Sequence, residues 1–452
     1  MEKKELKALF EELTALLESR HMKELKAYLE QLNEVDVAAF LEELPQKELA
    51  MLFRLLSKEQ AAEVFAHLDI DRQEHIINSI TDAELSDIIE ELYVDDAVDL
   101  LEELPSNVVK RVMRNAKGET RALINQFLKY PENSAGSIMT AEFIDLKKGM
   151  SVGQSFDRIR KVGAGMETIY TCFVTSADRK LEGVVTVKDL LLTDYDKKIA
   201  EIMDGQVVFA VTTDDQEEVA ELFSKYDLLI VPVVDHERRL VGIVTVDDVL
   251  DVIEKEATED IEKMAAIVPT EKPYMKNSVF ELWKARIPWL LLLMISATFT
   301  GMIITGFEAA LEAYVALTAF IPMLMDTAGN SGSQSSVTII RGMSLNEIAF
   351  RDLFKVLWKE MQVAVLCGVT LAAANFVKLM LFDRVSVPVA LVVCLTLVVT
   401  VFAAKTVGCL LPMLSKRLGF DPAVMSSPFI TTIVDAISLL IYFQFATVIL
   451  HI

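Results

Sequence analysis

The stretch "PMLMDTAGNSGSQ", residues 322–334, places polar residues inside a long hydrophobic segment. Asp326, Asn330 and Gln334 recur every four residues, so they share one face of a helix. Polar groups and irregular backbone are tolerated at membrane depth where they line a cavity or are buried in protein. We therefore predict that Pro322 and the two glycines open this helix, and that its polar face lines an aqueous path.

Five stretches, including that one, are long and apolar enough to span a bilayer, which takes about 20 residues. Lys and Arg cluster before the first stretch and after the second and fourth, and basic residues favour the cytoplasmic side. We expect a cytoplasmic N-terminus and a C-terminus on the outside. The stretches run over residues 287–307, 315–340, 357–382, 386–414 and 423–450.

The fifth stretch contains a deep acid. A polar stripe at helical spacing consists of Thr431, Asp435, Ser438 and Tyr442. If the helix begins at Asp421, Asp435 lies about 20 Å along its axis, near mid-bilayer. A carboxylate there is costly unless it faces water, a cation or a partner. Thr431 and Ser438 are simply explained by helix packing, whereas Asp435 indicates an ion path shared with the second stretch.

Positive partners for these acids are few. Lys378 lies near the outer end of its span and can reach the interface; pairing of the deeper Lys405 with an intramembrane Asp is an alternative to a bound cation. None of the five histidines lies inside a span, which argues against soft metals. Carboxylates, amides and carbonyls suit hard cations, and so few carboxylates favour an ion that keeps most of its waters, as Mg²⁺ does, over Ca²⁺.

The charge is confined to the first part of the chain. Residues 287–452 contain nine basic and nine acidic residues, so the net charge of −23 belongs to residues 1–286. Such a surface repels nucleic acid and attracts cations, although an acidic surface also serves solubility alone. No signal peptide, disulfide framework, P-loop or nucleophile–base pair is present, so a cytoplasmic module without catalysis is expected.

Two internal repeats follow. "LEGVVTVKDLL" (181–191) and "LVGIVTVDDVL" (240–250) match at seven of eleven positions. The repeated unit resembles a tandem pair of CBS domains over residues 137–254. In that family, a Thr and an Asp of this segment often contact a nucleotide ribose, which makes ATP possible here; a dimerising scaffold is the alternative. The matching positions are Thr186, Asp189, Thr245 and Asp248.

Residues 1–130 read as short amphipathic helices punctuated by Pro and Asp, which predicts an α-helical superhelix. Asp95, Asp96 and Asp99 lie at one helix start, where capping is the default role for at least one of them. Further along, an acidic connecting helix is predicted over residues 255–275. There Glu256, Glu259 and Asp260 share one side and repel each other; a bridging divalent cation or plain solvation of that side would both explain them.

Together these features resemble the MgtE magnesium channel family along nearly the whole chain, with the transmembrane domain at 276–452. The fold class is then multi-domain: a helical N-domain, an α/β CBS pair and an all-α domain of five transmembrane helices. "EATEDI" matches the family's plug helix. One departure is Ser427, where some members have Asn. The most specific match is the family's Pro and its Gly-Asn-x-Gly-x-Gln signature at Pro322, Gly329, Asn330, Gly332 and Gln334.

The resemblance implies a homodimeric Mg²⁺ channel in the cell membrane, with its pore between two subunits and lined by the second and fifth helices. Hydrated Mg²⁺ would sit near Asp435 and the backbone carbonyl at Thr431, with Asn330 and Gln334 beside the path and Asp326 as a weaker candidate. Cytoplasmic Mg²⁺ would close the channel. The implied regulatory acids are Asp96, Asp215, Asp227, Asp248, Asp251, Glu256, Glu259, Asp260 and Asp421.

Two other functions are alternatives to a channel. An ion-coupled secondary transporter of divalent cations (Mg²⁺, Co²⁺ and Mn²⁺) would need the same intramembrane acids. A membrane-anchored sensor, with the CBS pair binding nucleotide and the spans contacting lipid only, would need no acid at mid-bilayer. The polar faces of two spans therefore favour transport over anchoring.

Overall fold

The computed structural model describes residues 3–270, 272, 274–424 and 427–451, with the backbone alone at 3–5 and 427. The chain divides into two compact units, Met1–Ile253 and Glu254–Ile452. The first contains short helices and two small sheets, and the second contains the long apolar helices.

Within the described residues, ten helices open the first unit, as the apolar spacing predicts. Polar caps end and restart them: the Asn33 side chain accepts a hydrogen bond from the Val35 N–H, and Thr81 forms a capping box with Glu84. Their inward faces share one apolar core that continues into the second repeat. The helices are α1 (Lys3–Glu18), α2 (Met22–Leu29), α3 (Glu34–Glu43), α4 (Gln46–Phe53), α5 (Lys58–Ala66), α6 (Ile70–Ser79), α7 (Asp82–Glu91), α8 (Val94–Glu103), α9 (Ser106–Asn115) and α10 (Gly118–Phe127).

The two repeats form sheets of the same design, which confirms the internal repeat. In each sheet the first strand pairs parallel with the second, the second pairs antiparallel with the third, and the register shifts at the same place. The elements are β1 (Asp145–Leu146), α11 (Val152–Val162), β2 (Thr171–Thr175), β3 (Leu181–Thr186), α12 (Val187–Leu191), α13 (Ile199–Ile202), β4 (Ala210–Val211), α14 (Gln216–Tyr226), β5 (Ile230–Val234), β6 (Leu240–Thr245) and α15 (Val246–Met264), with a 3₁₀ turn at Gly163–Gly165.

A glycine in each repeat admits a crossing segment of backbone. A Cβ at Gly183 would lie 2.8 Å from the Asp204 carbonyl oxygen, and one at Gly242 would lie 2.6 Å from that of Thr140. Because these contacts are with backbone, no side chain could move aside to make room. The repeated Gly of the two matching motifs is thus needed for packing.

The second unit is helical. Four helices in its described part are both long and apolar enough to cross a membrane: Val279–Gly306, Phe350–Asp383, Val387–Arg417 and Pro428–Leu450. The elements are α16 (Val279–Gly306), α17 (Glu308–Ala313), α18 (Ile321–Ser344), α19 (Leu353–Lys378), α20 (Val387–Arg417) and α21 (Ser427–Leu450), with 3₁₀ turns at Val315–Phe320 and Phe350–Asp352 and a π turn at Leu379–Asp383.

The second predicted span is α18, which is long enough to cross but is too polar to count among those four. It is a continuous helix, so the predicted opening of its backbone is wrong. Pro322 lies in its first turn, where the missing N–H costs no helical hydrogen bond. The polar residues are therefore carried on a regular helix.

Glycines bring α18 against α20, the most buried of the long helices. A Cβ at Gly408 would clash with the backbone carbonyl of Gly332, and a Cβ at Gly332 would lie 3.2 Å from the Ala404 carbonyl oxygen. Two helix backbones thus meet without intervening side chains, the arrangement that small residues allow in membrane domains.

We predict that Gly408→Ala disrupts this contact. An added methyl must push two backbones apart, a type of overpacking that costs about 1–3 kcal/mol. Thermal unfolding of the protein in detergent is expected to show a clearly lower midpoint. Gly301→Ala is the matched control, because a Cβ at that helical glycine meets nothing within 4 Å; equal midpoints for the two variants would contradict the prediction.

Candidate functional site

The polar face of α18 is uncovered in the chain. Asp326, Asn330 and Gln334 are exposed, as the four-residue spacing predicts, whereas Ser331 and Ser335 on other sides of the helix are buried. Carboxylate and amide groups cannot face lipid at low cost. This face therefore requires water or another protein surface.

Helix α21 places its acid beside that face. Asp435 is partly exposed, and its carboxylate is close enough to Asp326 for the two charges to repel. Thr431 packs on Gly329, where an added Cβ would lie 2.9 Å from the threonine Cγ2. The structure thus brings the second and fifth predicted spans together, with two acids on their shared side.

The predicted stripe on α21 is only half correct. Ser438 and Tyr442 are fully buried, and the Tyr442 hydroxyl donates to the Leu317 carbonyl at 2.9 Å. They pack the core, as expected for Ser438, and do not line a path. The side chain of Ser427 lies outside the described residues.

The predicted start of this helix is also wrong. Asp421 accepts a hydrogen bond from the Ala423 N–H at 2.7 Å in a turn, and α21 begins at Ser427. Asp435 is then about 12 Å along the axis at 1.5 Å per residue. A turn can precede a helix that the Asp-Pro pair alone would have started.

Lys405 does not pair with an intramembrane Asp. Its Nζ lies 3.7 Å from Glu360 Oε2 and donates to Ser335 Oγ at 3.1 Å. Lys378 pairs with Asp383 at 3.3 Å near the end of its span. The acids Asp326 and Asp435 therefore keep no lysine partner in the described part of the chain.

In the first unit, four carboxylates gather where α8 and α15 lie near the first repeat. Asp95 and Asp96 begin α8, Asp248 begins α15 and Glu167 precedes β2. None of the four has an ion pair with Lys or Arg within the described ranges, and one Asp95 oxygen is buried without a hydrogen-bond partner. We call these four residues the N-domain acid cluster.

The cluster disfavours its own ionisation. Burial, with repulsion from Asp248, raises the pKa of Asp96 to about 7. Burial and the same Asp248 charge raise the pKa of Glu167 to about 7, and burial raises that of Asp248 to about 6 despite its hydrogen bond from Thr245. Burial also raises the pKa of Asp95 well above its ordinary value. A cation bound at this cluster would offset both the cost of burying the charged carboxylates and their mutual repulsion.

At the C-terminal end of α15, a lysine pairs with two of the acids. Lys263 Nζ lies 2.7 Å from both Glu259 and Asp421. Burial alone would lower the pKa of Lys263, but these two hydrogen bonds outweigh it and raise that pKa. Burial and the nearby Asp421 charge raise the pKa of Asp260. The helical part of the predicted connecting segment ends at Met264.

The other predicted regulatory acids are dispersed. Asp215 caps α14 by accepting from the Glu217 N–H, and Asp227 ends that helix in a left-handed conformation (φ 51°). Asp251 is exposed on α15. Across the residues that the structure describes, no three carboxylate, imidazole or thiol groups stand close enough together to hold a metal ion, and this includes the N-domain acid cluster.

The Thr–Asp pairs of the two repeats are engaged with each other. Thr186 and Asp189 form a capping box at the start of α12, and the Thr245 hydroxyl donates to Asp248 at 2.6 Å. Capping therefore explains both pairs without a nucleotide.

Comparison with known proteins bears on this geometry. A divalent cation transporter model of the MgtE family matches residues 321–445, the MgtE intracellular N domain matches residues 32–133, and a CBS domain matches residues 199–255. A magnesium transporter MgtE from Thermus thermophilus is 42% identical over 333 residues, covering 74% of this chain and 73% of that protein.

The chain belongs to the MgtE family. The Bacillus subtilis magnesium transporter MgtE is 32% identical over 79% of the chain and 78% of its own length. The crystal structure of the cytosolic domain of an Mg²⁺ channel MgtE in complex with ATP is 37% identical, with a TM-score of 0.51 over 53% of this chain and 98% of that one. This MgtE protein is thus a multi-pass magnesium transporter with an intracellular N domain, and not an enzyme.

Two features of this MgtE protein were not predicted from its sequence. Glu167 joins the N-domain acid cluster although it lies about 70 residues from Asp96 in sequence, and Glu360 neutralises Lys405 from another helix. The available sequence signals were the position of Glu167 between a helix and a strand and the presence of Glu360, an acid, within an apolar helix.

We predict that the N-domain acid cluster destabilises the first unit as the pH rises. Its raised pKa values mean that the native state holds more protons than the unfolded one between about pH 4 and 7, so stability is lost across that window. In EDTA, Asp96→Asn is expected to be more stable than the parent by several degrees at pH 8 and equal to it near pH 4. Proteolysis at rising temperature measures this.

The control is Asp178→Asn, which changes an exposed loop acid in the same unit. It should leave the pH dependence unaltered. A parent protein equally stable at pH 5 and pH 8 would contradict the prediction.

Proposed function

We propose that the protein is a Mg²⁺-selective channel for magnesium uptake that cytoplasmic Mg²⁺ closes. The uncovered polar face of α18 beside Asp435 carries this proposal. A transporter that removed all water from the ion would need a cage of several oxygens, whereas this wall offers two carboxylates, Asp326 and Asp435, and a row of amides. A hydrated ion fits that wall.

The path is completed by a second copy of the chain. Cyclic symmetry places the same surface on both sides of a two-fold axis, so the exposed Asn330 and Gln334 of one subunit would face those of the other across water. Two Asp435 carboxylates would then lie across the axis from each other. Their repulsion is relieved by one divalent cation, which favours Mg²⁺ at this depth over an empty path.

Binding of Mg²⁺ to the cytoplasmic acids would supply the closing signal. The N-domain acid cluster is costly without a cation, so Mg²⁺ binds best to conformations in which those acids are close together. On α15, Mg²⁺ would compete with Lys263 for Glu259 and Asp421, with Glu256 and Asp260 as further ligands. Asp215, Asp227 and Asp251 complete the proposed regulatory set as exposed ligands. The C-terminus would lie outside the cell membrane.

Nucleotide binding is proposed for the CBS pair, following the relative crystallised with ATP. The ribose would be bound through Thr186 with Asp189 or Thr245 with Asp248. Because Asp248 also belongs to the N-domain acid cluster, nucleotide and cation would affect each other's binding.

An ion-coupled secondary transporter is the second candidate, since the same acids would serve it. Single-channel currents, and uptake driven by a Mg²⁺ gradient alone in liposomes, identify a channel. Uptake that requires a second ion gradient identifies the coupled transporter.

We predict that Asp435→Ala abolishes Mg²⁺ uptake into liposomes while the protein still purifies as the same oligomer. The variant removes the charge that attracts the ion to the proposed path. A magnesium-sensitive dye inside the liposomes records the flux. Full uptake by this variant would refute the assignment of Asp435 to the ion path.

Asp383→Ala is the matched control, since this acid pairs with Lys378 at the end of its helix. It is expected to transport at the parent rate.

We predict that the triple variant Glu256→Gln, Glu259→Gln and Asp260→Asn transports Mg²⁺ without inhibition by cytoplasmic Mg²⁺. Neutral amides bind the ion too weakly to hold the closed conformation. Patch-clamp recording with varied Mg²⁺ on the cytoplasmic side measures the loss of inhibition. Unchanged inhibition would refute the role of α15.

The control variant neutralises three exposed acids of the N-domain, Glu43→Gln, Glu91→Gln and Glu119→Gln. It changes net charge about equally. Inhibition by Mg²⁺ should be retained in it, which separates specific ligands from a general electrostatic effect.

A further inference from the structure

A buried charge pair joins three helices of the membrane domain behind the polar face. Lys405 of α20 is 5% exposed and Ser335 of α18 is 2% exposed. The Ser335 hydroxyl donates to Glu360 Oε2 of α19 at 2.6 Å and accepts from Lys405 Nζ at 3.1 Å. The two charges themselves are 3.7 Å apart. We call these three residues the Ser335 triad.

We propose that the Ser335 triad sets the rotation of α18 and thereby positions its ion-facing side chains. Glu360 and Lys405 are positioning residues for transport in this proposal, and they act through Ser335. The inference rests on the proposed role of the α18 polar face.

Helix geometry links the triad to the ion path. Successive residues on a helix are separated by about 100° around its axis, so a Ser335 directed at the ion pair fixes the direction of Gln334 next to it. Asn330 is fixed on the same rigid helix. Rotation of α18 by a small angle would move both amides and break both hydrogen bonds of Ser335.

The glycine contact alone does not fix this rotation. Gly332 and Gly408 bring the backbones together. Buried apolar side chains such as Ile339 and Ile340 add to the packing of α18, but apolar contact is not directional. Hydrogen bonds are directional, and those to charged groups are the stronger ones. The triad supplies the angular restraint that the glycines lack.

Packing alone does not explain the presence of two buried charges in the triad. Burying two charges costs more free energy than burying well-packed apolar side chains of similar volume. A buried ion pair is therefore weak evidence that its role is to stabilise the fold. A satisfied polar network can instead specify one orientation of the helix, because its hydrogen bonds are directional.

The test compares two adjacent serines. Ser335→Ala removes the hydroxyl from both hydrogen bonds, whereas Ser336→Ala removes a buried hydroxyl that has no hydrogen-bond partner among the described residues. In liposomes, Ser335→Ala is expected to shift the KM for Mg²⁺, or the ratio of Mg²⁺ to Co²⁺ uptake, by about tenfold, as expected for one hydrogen bond to a charged group. Ser336→Ala should match the parent.

The charges are tested together. Glu360→Leu with Lys405→Met removes both charges, so the protein should fold, as size-exclusion chromatography will show, yet display the same shift as Ser335→Ala. The single variant Lys405→Arg keeps the charge and the N–H donors, so it should retain the parent KM. A folded double variant with parental KM and selectivity would overturn the proposal, as would identical kinetics for the two serine variants.

Gln334→Ala distinguishes a failure of the triad proposal from a failure of the proposed ion-facing role of α18. If it changes selectivity while Ser335→Ala does not, the positioning role of the triad is refuted and the polar face stands. If neither changes transport, the proposed face of α18 is refuted as well.

Discussion

Both units depend on one constraint, which is that carboxylates without a positive partner lie in buried or membrane-spanning positions. In the first unit, Asp95, Asp96 and Asp248 lie where burial and mutual repulsion oppose ionisation. In the second, Asp435 lies near Asp326 within a largely apolar helical unit. Each set can be relieved only by protons, water or a cation. For a magnesium transporter, the cation proposed at both sets is also the substrate.

The fold around these acids follows from simpler patterns. Repeated β motifs produce two sheets of equal register, and apolar spacing produces the short helices of the N-domain. In the membrane domain, Gly332 and Gly408 allow two backbones to meet, so that α18 is held from one side and its polar face stays uncovered. The small residues on one side serve packing, and the polar residues on the other side face the proposed ion path.

Much of this could be predicted from the sequence, because the signals were local. The polar series from Asp326 to Gln334, the repeats and the acidic α15 are all periodic patterns. Two errors were local, namely the predicted opening of α18 and the predicted start of α21; the others arose where distant contacts decide. The burial of Tyr442 depends on a carbonyl acceptor at Leu317, and the partner of Lys405 depends on how α19 packs beside α20. Periodicity places residues on a face of a helix, but it does not say which neighbour covers that face.

The lysines show how the chain distinguishes fixed from exchangeable compensation. Lys405 neutralises Glu360 permanently, because both are buried between helices. Lys263 neutralises Glu259 and Asp421 in a partly exposed position, where a divalent cation could compete. Asp96 and Asp435 have no lysine at all in the described structure. A protein that gave every acid its own lysine would be more stable without Mg²⁺ but would leave the ion nothing to bind. The acids that lack one are therefore where Mg²⁺ gains most on binding, and they lie at the proposed pore and at the proposed sensor.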